Sequence, residues 1–258
     1  MGRSVSGRRR SVWMWVTAVA VLGIGAWHEA ATATAAQPRP IALDAQRAVL
    51  MRRHFGRALA IKDGVIRGDL TAVTGEAAAL VREEVPQGLP TVANSFVTTL
   101  KRDAQRAAEA TDIVTAASAS ASMLATCGNC HQAVGVRPTF APLAAGTSET
   151  APVGVVGHMI EHQRAADLMF EGLVLPSSTS WREGAVRLNA VRLRDRELPR
   201  DSRWTPEIIR AEDRLHRVAG DAVEMHDHAT RATSYAQILA TCAECHGLHA
   251  KVWGPSGR

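Results

Sequence analysis

Two stretches decide how this chain is read: Leu124-Ala125-Thr126-Cys127-Gly128-Asn129-Cys130-His131 and Leu239-Ala240-Thr241-Cys242-Ala243-Glu244-Cys245-His246. They stand 115 residues apart, and together they hold all 4 cysteines of the 258-residue chain. Each carries Cys-x-x-Cys followed at once by histidine, at the end of an alanine-rich run. On a helix this spacing gathers two thiols and an imidazole within about one turn.

Working upstream, the 115-residue register pairs Ala107 with Ala222, Ala104 with Ala219 and Leu100 with Leu215, a helical face at three- and four-residue spacing. A second register, at 108 residues, pairs Met51 with Met159, His54 with His162, Ala58 with Ala166 and Gly64 with Gly172. It continues with Ala77 and Leu80 against Ala185 and Leu188. The two offsets differ by 115 − 108 = 7, which places a seven-residue insertion between Leu188 and Leu215. The charged stretch from Arg192 to Asp201, interrupted by Pro199, is where a loop grows with least disruption.

Low aromatic content (4%) and few β-branched runs favour helices over sheets. The breaks predict four helices in each half: Leu43 to Arg67, Asp69 to Glu84, Thr91 to Glu109 and Asp112 to Ala133, then Val155 to Leu175, Ser180 to Leu193, Pro206 to His228 and Thr233 to Lys251. Gly68-Asp69 offers a stop and a cap, Thr111-Asp112 a cap, and Thr205-Pro206 a capped first turn. The expected fold is all-α: two tandem four-helix-bundle units, residues 41–134 and 155–253, related by internal duplication and joined by a proline- and glycine-rich linker at 135–154. Trp181, Trp204 and Trp253 are expected to seal the bundle of the second half.

Residues 1–36 have the form of an export signal. Arg8, Arg9 and Arg10 precede a 16-residue apolar run from Val12 to Trp27, and Ala33-Thr34-Ala35 supplies a small-x-small cleavage site. The run is short for a membrane span, so a retained anchor, and with it membrane contact, is the lesser expectation. Of the formal charge of +5, this segment supplies 4 − 1 = +3, leaving 5 − 3 = +2 on the mature chain. That balance gives no reason to expect a nucleic-acid partner.

In an exported chain four cysteines ordinarily suggest disulfides, but every one here belongs to a Cys-x-x-Cys-His pentapeptide, the signature of c-type haem attachment. Two thiols add to the vinyl groups and the adjoining imidazole reaches the iron. The expected cofactors are therefore two covalently bound haem c groups, held by Cys127, Cys130 and His131 and by Cys242, Cys245 and His246. A thioredoxin-like thiol pair would need a βαβ setting, and a zinc site would need the two Cys-x-x-Cys pairs to converge.

A haem motif in the last helix of a four-helix unit resembles the cytochrome c-prime and cytochrome c-556 type of helical cytochrome, here in tandem. The resemblance covers Leu43 to Ala133 and Val155 to Lys251, although each half is shorter between its first helix and its motif than that family's pattern. It implies that the first helix faces the distal side of the haem, with methionine in low-spin members and a non-ligating apolar residue in gas-binding ones. Two residue types recur there in register, His54 with His162 and Met51 with Met159. We favour His54 and His162 as iron ligands; Met51 and Met159, or an open distal side, are the alternatives. His216, His226 and His228 are expected at the surface. The expected function is periplasmic electron transfer between exported or membrane-bound redox proteins, without enzyme activity, with homodimerisation possible. The alternatives are a peroxidase-like haem enzyme and a gas-binding protein.

Overall fold

The computed structural model describes residues 45–85, 87–138, 154–190, 192, 203 and 205–253. The expected export segment, most of the expected linker and most of the stretch expected to hold the seven-residue insertion lie outside the described residues, as do the side chains of Trp204 and Trp253. The helices are α1 (Ala45–Arg67), α2 (Leu70–Arg82), α3 (Ala93–Ala108), α4 (Ile113–Val134), α5 (Gly154–Val174), α6 (Ser178–Ala190), α7 (Thr205–Ala222) and α8 (His228–Trp253). Among the described residues there is no strand, and no helix is long and apolar enough to cross a membrane. The all-α class is as the sequence implies.

The helix ends follow from local chemistry. Gly68, at φ +70°, takes the left-handed conformation that ends α1, with Gly68 N–H donating to Val65 O and Asp69 N–H to Gly64 O, each at 2.9 Å. Asp69 then caps α2 by accepting from Ala72 N–H at 2.9 Å. Asp112 caps α4 through Thr115 N–H at 2.8 Å. The sequence breaks predict a seventh helix that runs on to His228 and a last helix that begins at Thr233. In the structure α7 stops at Ala222 and α8 starts at His228, capped by Asp227, which accepts from Thr230 N–H at 2.7 Å.

One hydrophobic core runs through both halves, from Ala58, Ile61 and Val65 of α1 to Tyr235, Ile238 and Leu239 of α8. α4 lies along α8, α1 packs on α8, and α5 packs on α4, so the first helix of each half rests on the last helix of the other. Small side chains permit this close approach: Ala116, Ala117, Ala119, Ala121 and Ala125 of α4 are all buried. Trp181 is fully buried, as expected of a seal, and its indole N–H donates to Ala222 O at 2.8 Å.

Where α1 meets α5, Phe55 and Phe170 pack edge to face with centroids 5.6 Å apart. Beside them Lys62, only 1% exposed, donates to Asp167 and lies 3.0 Å from Asp63. Its ammonium also sits 5.6 Å from the Phe170 ring centroid. A buried charge is costly once its hydrogen-bonded partner is removed, and Asp63, whose side chain is 42% exposed, compensates Lys62 less than Asp167 does. Asp167→Ala is therefore expected to lower the unfolding free energy by about 3–5 kcal/mol, with the Lys62→Met, Asp167→Leu double variant recovering most of it. Urea unfolding followed by circular dichroism measures both.

Candidate functional site

Both Cys-x-x-Cys-His motifs lie in the C-terminal half of their helices, α4 and α8, and all four thiols are free. Desolvation pushes the thiols of Cys127, Cys242 and Cys245 up to about 12, so they are neutral at physiological pH. A thiol–disulfide catalyst needs the opposite shift. Among the described residues one group of histidines, cysteines and carboxylates gathers tightly enough to hold a metal ion, and it contains no cysteine. Neither a thioredoxin-like pair nor a four-cysteine zinc site fits these facts.

In the first half, α1 to α4 surround a mostly apolar cavity of about 240 Å³. Cys127, Cys130 and His131 line it together with Met51 and His54, so the motif and both distal candidates share one space. His131 Nδ1 lies 2.9 Å from the backbone oxygen of Val174, at the end of α5. With the proton on Nδ1 donated to that carbonyl, Nε2 keeps its lone pair for a metal. Burial lowers the pKa of His131, against which the Val174 hydrogen bond acts. Gly128 makes the contact possible: a Cβ there would stand 2.0 Å from the Leu173 oxygen and 2.8 Å from His228 Nε2.

His54 is engaged elsewhere. Its Nε2 is 2.7 Å from the carboxylate of Glu83, which also pairs with Arg53 at 3.1 Å and Arg57 at 2.5 Å. Lys101 donates to the backbone oxygen of Glu83 at 3.0 Å. Burial pulls the His54 pKa down, the Glu83 carboxylate resists, and Arg53, Lys101 and Arg57 add to the lowering. The net bias is toward the neutral imidazole, the form that can ligate.

In the second half the ring of His246 hydrogen-bonds to the backbone oxygen of Ile66, in the last turn of α1. Cys245 packs with Leu248, Ile208 and Ala211 in a small apolar cluster of its own. His162 is buried, its ring centroid 3.9 Å from that of His158 and 5.8 Å from that of His216. Glu212 Oε1 lies 3.0 Å from His158 Nε2 and 2.9 Å from His216 Nε2. Ligand atoms of His158, His162 and Glu212 lie within 4.8 Å of one another. Met159 is half-buried on the same helix.

This network was not legible in the sequence. His216, expected at the surface, is wholly buried, whereas His226 is exposed as expected. His228, also expected at the surface, is half-buried, and burial first and then Arg231 lower its pKa while the nearby carbonyls of Ala125 and Leu173 oppose them. In the 115-residue register Glu212 stands opposite Val97, and His216 opposite Lys101, so a search for recurring residue types passes over them. The available signal was two i, i+4 polar pairs, His158 with His162 and Glu212 with His216, on otherwise apolar faces. His249, half-buried nearby, has its pKa lowered to about 4 by burial first and then by His246, with Glu212 opposing.

Comparison with protein families, curated proteins and solved structures finds no match to this chain. Removing the carboxylate should leave the buried imidazole of His216 without its hydrogen-bond partner and that of His158 without the charge beside it. Glu212→Ala is expected to cost about 1–3 kcal/mol of stability and Glu212→Gln less, read by urea unfolding. A neutral Glu212→Ala would mean that water replaces the carboxylate.

Proposed function

We propose that this chain is an exported dihaem c-type cytochrome that carries electrons between exported or membrane-bound redox proteins on the periplasmic side. Cys127 and Cys130 would form the thioethers of one haem with His131 as its proximal ligand, and Cys242, Cys245 and His246 would serve the other. The carrying observation is that both motif histidines hydrogen-bond to a backbone carbonyl, the arrangement that holds an imidazole with a free lone pair for a metal. The neutral thiols and the apolar cavity beside Cys127 suit a hydrophobic group attached by thioethers. Bound haem supplies a one-electron iron couple; the protein sets its potential through ligands, burial and nearby charge.

The two halves are read as copies of one four-helix unit. Supporting this, Asp69 and Ser177, 108 residues apart, cap α2 and α6, while Asp112 and Asp227, 115 apart, cap α4 and α8. On this reading His54 and His162 are the distal ligands, with Met51 and Met159 as alternatives. To ligate, His54 exchanges its Glu83 contact for the iron, and the arginines already pairing Glu83 offset the loss. A second reading, a haem enzyme working at the second site, is favoured by one observation: beside that motif two histidines, His158 and His216, share the Glu212 carboxylate, whereas among the described residues Glu83 beside the other motif meets one histidine, His54, and two arginines.

The test is the mature chain made with haem-maturation machinery. Two haems per chain are expected, together with no iodoacetamide uptake by the denatured protein, all four thiols being consumed. Low-spin spectra unresponsive to carbon monoxide, with one haem turning high-spin in His54→Ala and the other in His162→Ala, are expected of a bis-histidine carrier. Carbon monoxide binding at a single haem of the unaltered protein would favour the enzyme.

A further inference from the structure

The carbonyls that hold the two motif histidines come from the wrong half of the chain in each case. His131 of α4 is held by Val174 of α5, and His246 of α8 by Ile66 of α1. Val174 and Ile66 are themselves 108 residues apart, so the two contacts occupy the same register. The acceptors are available for a simple reason: both lie in the last turn of their helix, where backbone oxygens have no partner within the helix. The negative end of the helix dipole is therefore directed at each imidazole.

The same two helices carry the distal candidates. Twelve residues before Ile66 stands His54, and twelve before Val174 stands His162, a separation of about 18 Å along a helix. The side-chain contacts of Phe55 with Phe170 and of Lys62 with Asp167 tie the helices together between these points.

We infer that α1 and α5 are reciprocal struts: each presents the distal side chain to the haem of its own half and orients the proximal histidine of the other. This rests on the dihaem reading above. Neither half then makes a complete site alone, and a displacement of one strut is felt at both haems. A carbonyl accepting from Nδ1–H makes the imidazole a stronger donor to iron and favours the oxidised state, so loosening it raises the potential.

Gly128 provides the means of loosening one contact. In Gly128→Ala the new Cβ would meet the Leu173 oxygen at 2.0 Å, so the end of α5 must withdraw from α4 and from His131. The mirror variant is Gly68→Ala, which strains the φ +70° turn just beyond Ile66. Both are made in the full mature chain loaded with haem, with haem stoichiometry and circular dichroism as controls. Proton NMR of the ferric protein follows the proximal ring N–H signals, and spectroelectrochemistry follows the two potentials.

The unaltered protein is expected to show two ring N–H protons protected from exchange with deuterium. Gly128→Ala should speed exchange by about tenfold or more at one haem and raise its potential, leaving the other ring proton protected. Gly68→Ala should do the same at the other haem. Should Gly128→Ala fail to fold or to take up two haems, Gly68→Ala decides alone. Two haems with ring protons exchanging at the solvent rate, or folded variants that leave both signals and both potentials unmoved, would overturn the struts while the dihaem reading stands. Fewer than two haems in the unaltered chain would sink the reading itself.

Discussion

The close contact between α4 and the end of α5 at Gly128 is the constraint on which most of the described structure depends. It sets Leu173 and Val174 against the first motif, it leaves room for His228 beside them, and it fixes how far one half can withdraw from the other. No other residue type allows it, because even a methyl group would overlap a backbone oxygen. The alanine faces of α4 extend the same condition along the helix: close approach of backbones gives a continuous core from one half to the other, with few large side chains.

Around this frame the charges are placed unequally. The first half gathers Arg53, Arg57 and His54 on one buried carboxylate, Glu83, near the mouth of an apolar cavity. The second gathers three histidines and Glu212 in a compact polar cluster. The two Cys-x-x-Cys-His motifs therefore face different dielectric and hydrogen-bonding surroundings, and on the proposed dihaem reading equal reduction potentials would not be the physical expectation.

The helices were legible because their ends are written in local chemistry: Gly68 with Asp69, and Asp112 with Thr115, state a stop and a cap without reference to the rest of the chain. The pairing of Gly64 with Gly172 was legible too, and its reason is steric, since a Cβ at either would press on the following helix, on Val73 or on Trp181. The start of α8 was missed although Asp227 lies in register with Asp112; apolar periodicity through Ala222 and Val223 masked the break. What could not be read was anything that depends on one half touching the other. The partner of His131 lies 43 residues away and that of His246 far upstream, both are backbone atoms, and no side-chain pattern records them.

The crossed contacts have a symmetry of their own. His131 touches the end of α5 and His246 the end of α1, so that the same pair of surfaces meets twice, once in each direction. This is the form of an isologous interface, the kind that relates the subunits of a two-fold dimer. On the proposed duplication and haem attachment, the single unit could not have finished its own haem site and would have existed as a pair of identical chains. The covalent linker would then convert a concentration-dependent assembly into a unimolecular one and free each copy to diverge, in the way that Glu212 and His216 differ from Val97 and Lys101 at the same register.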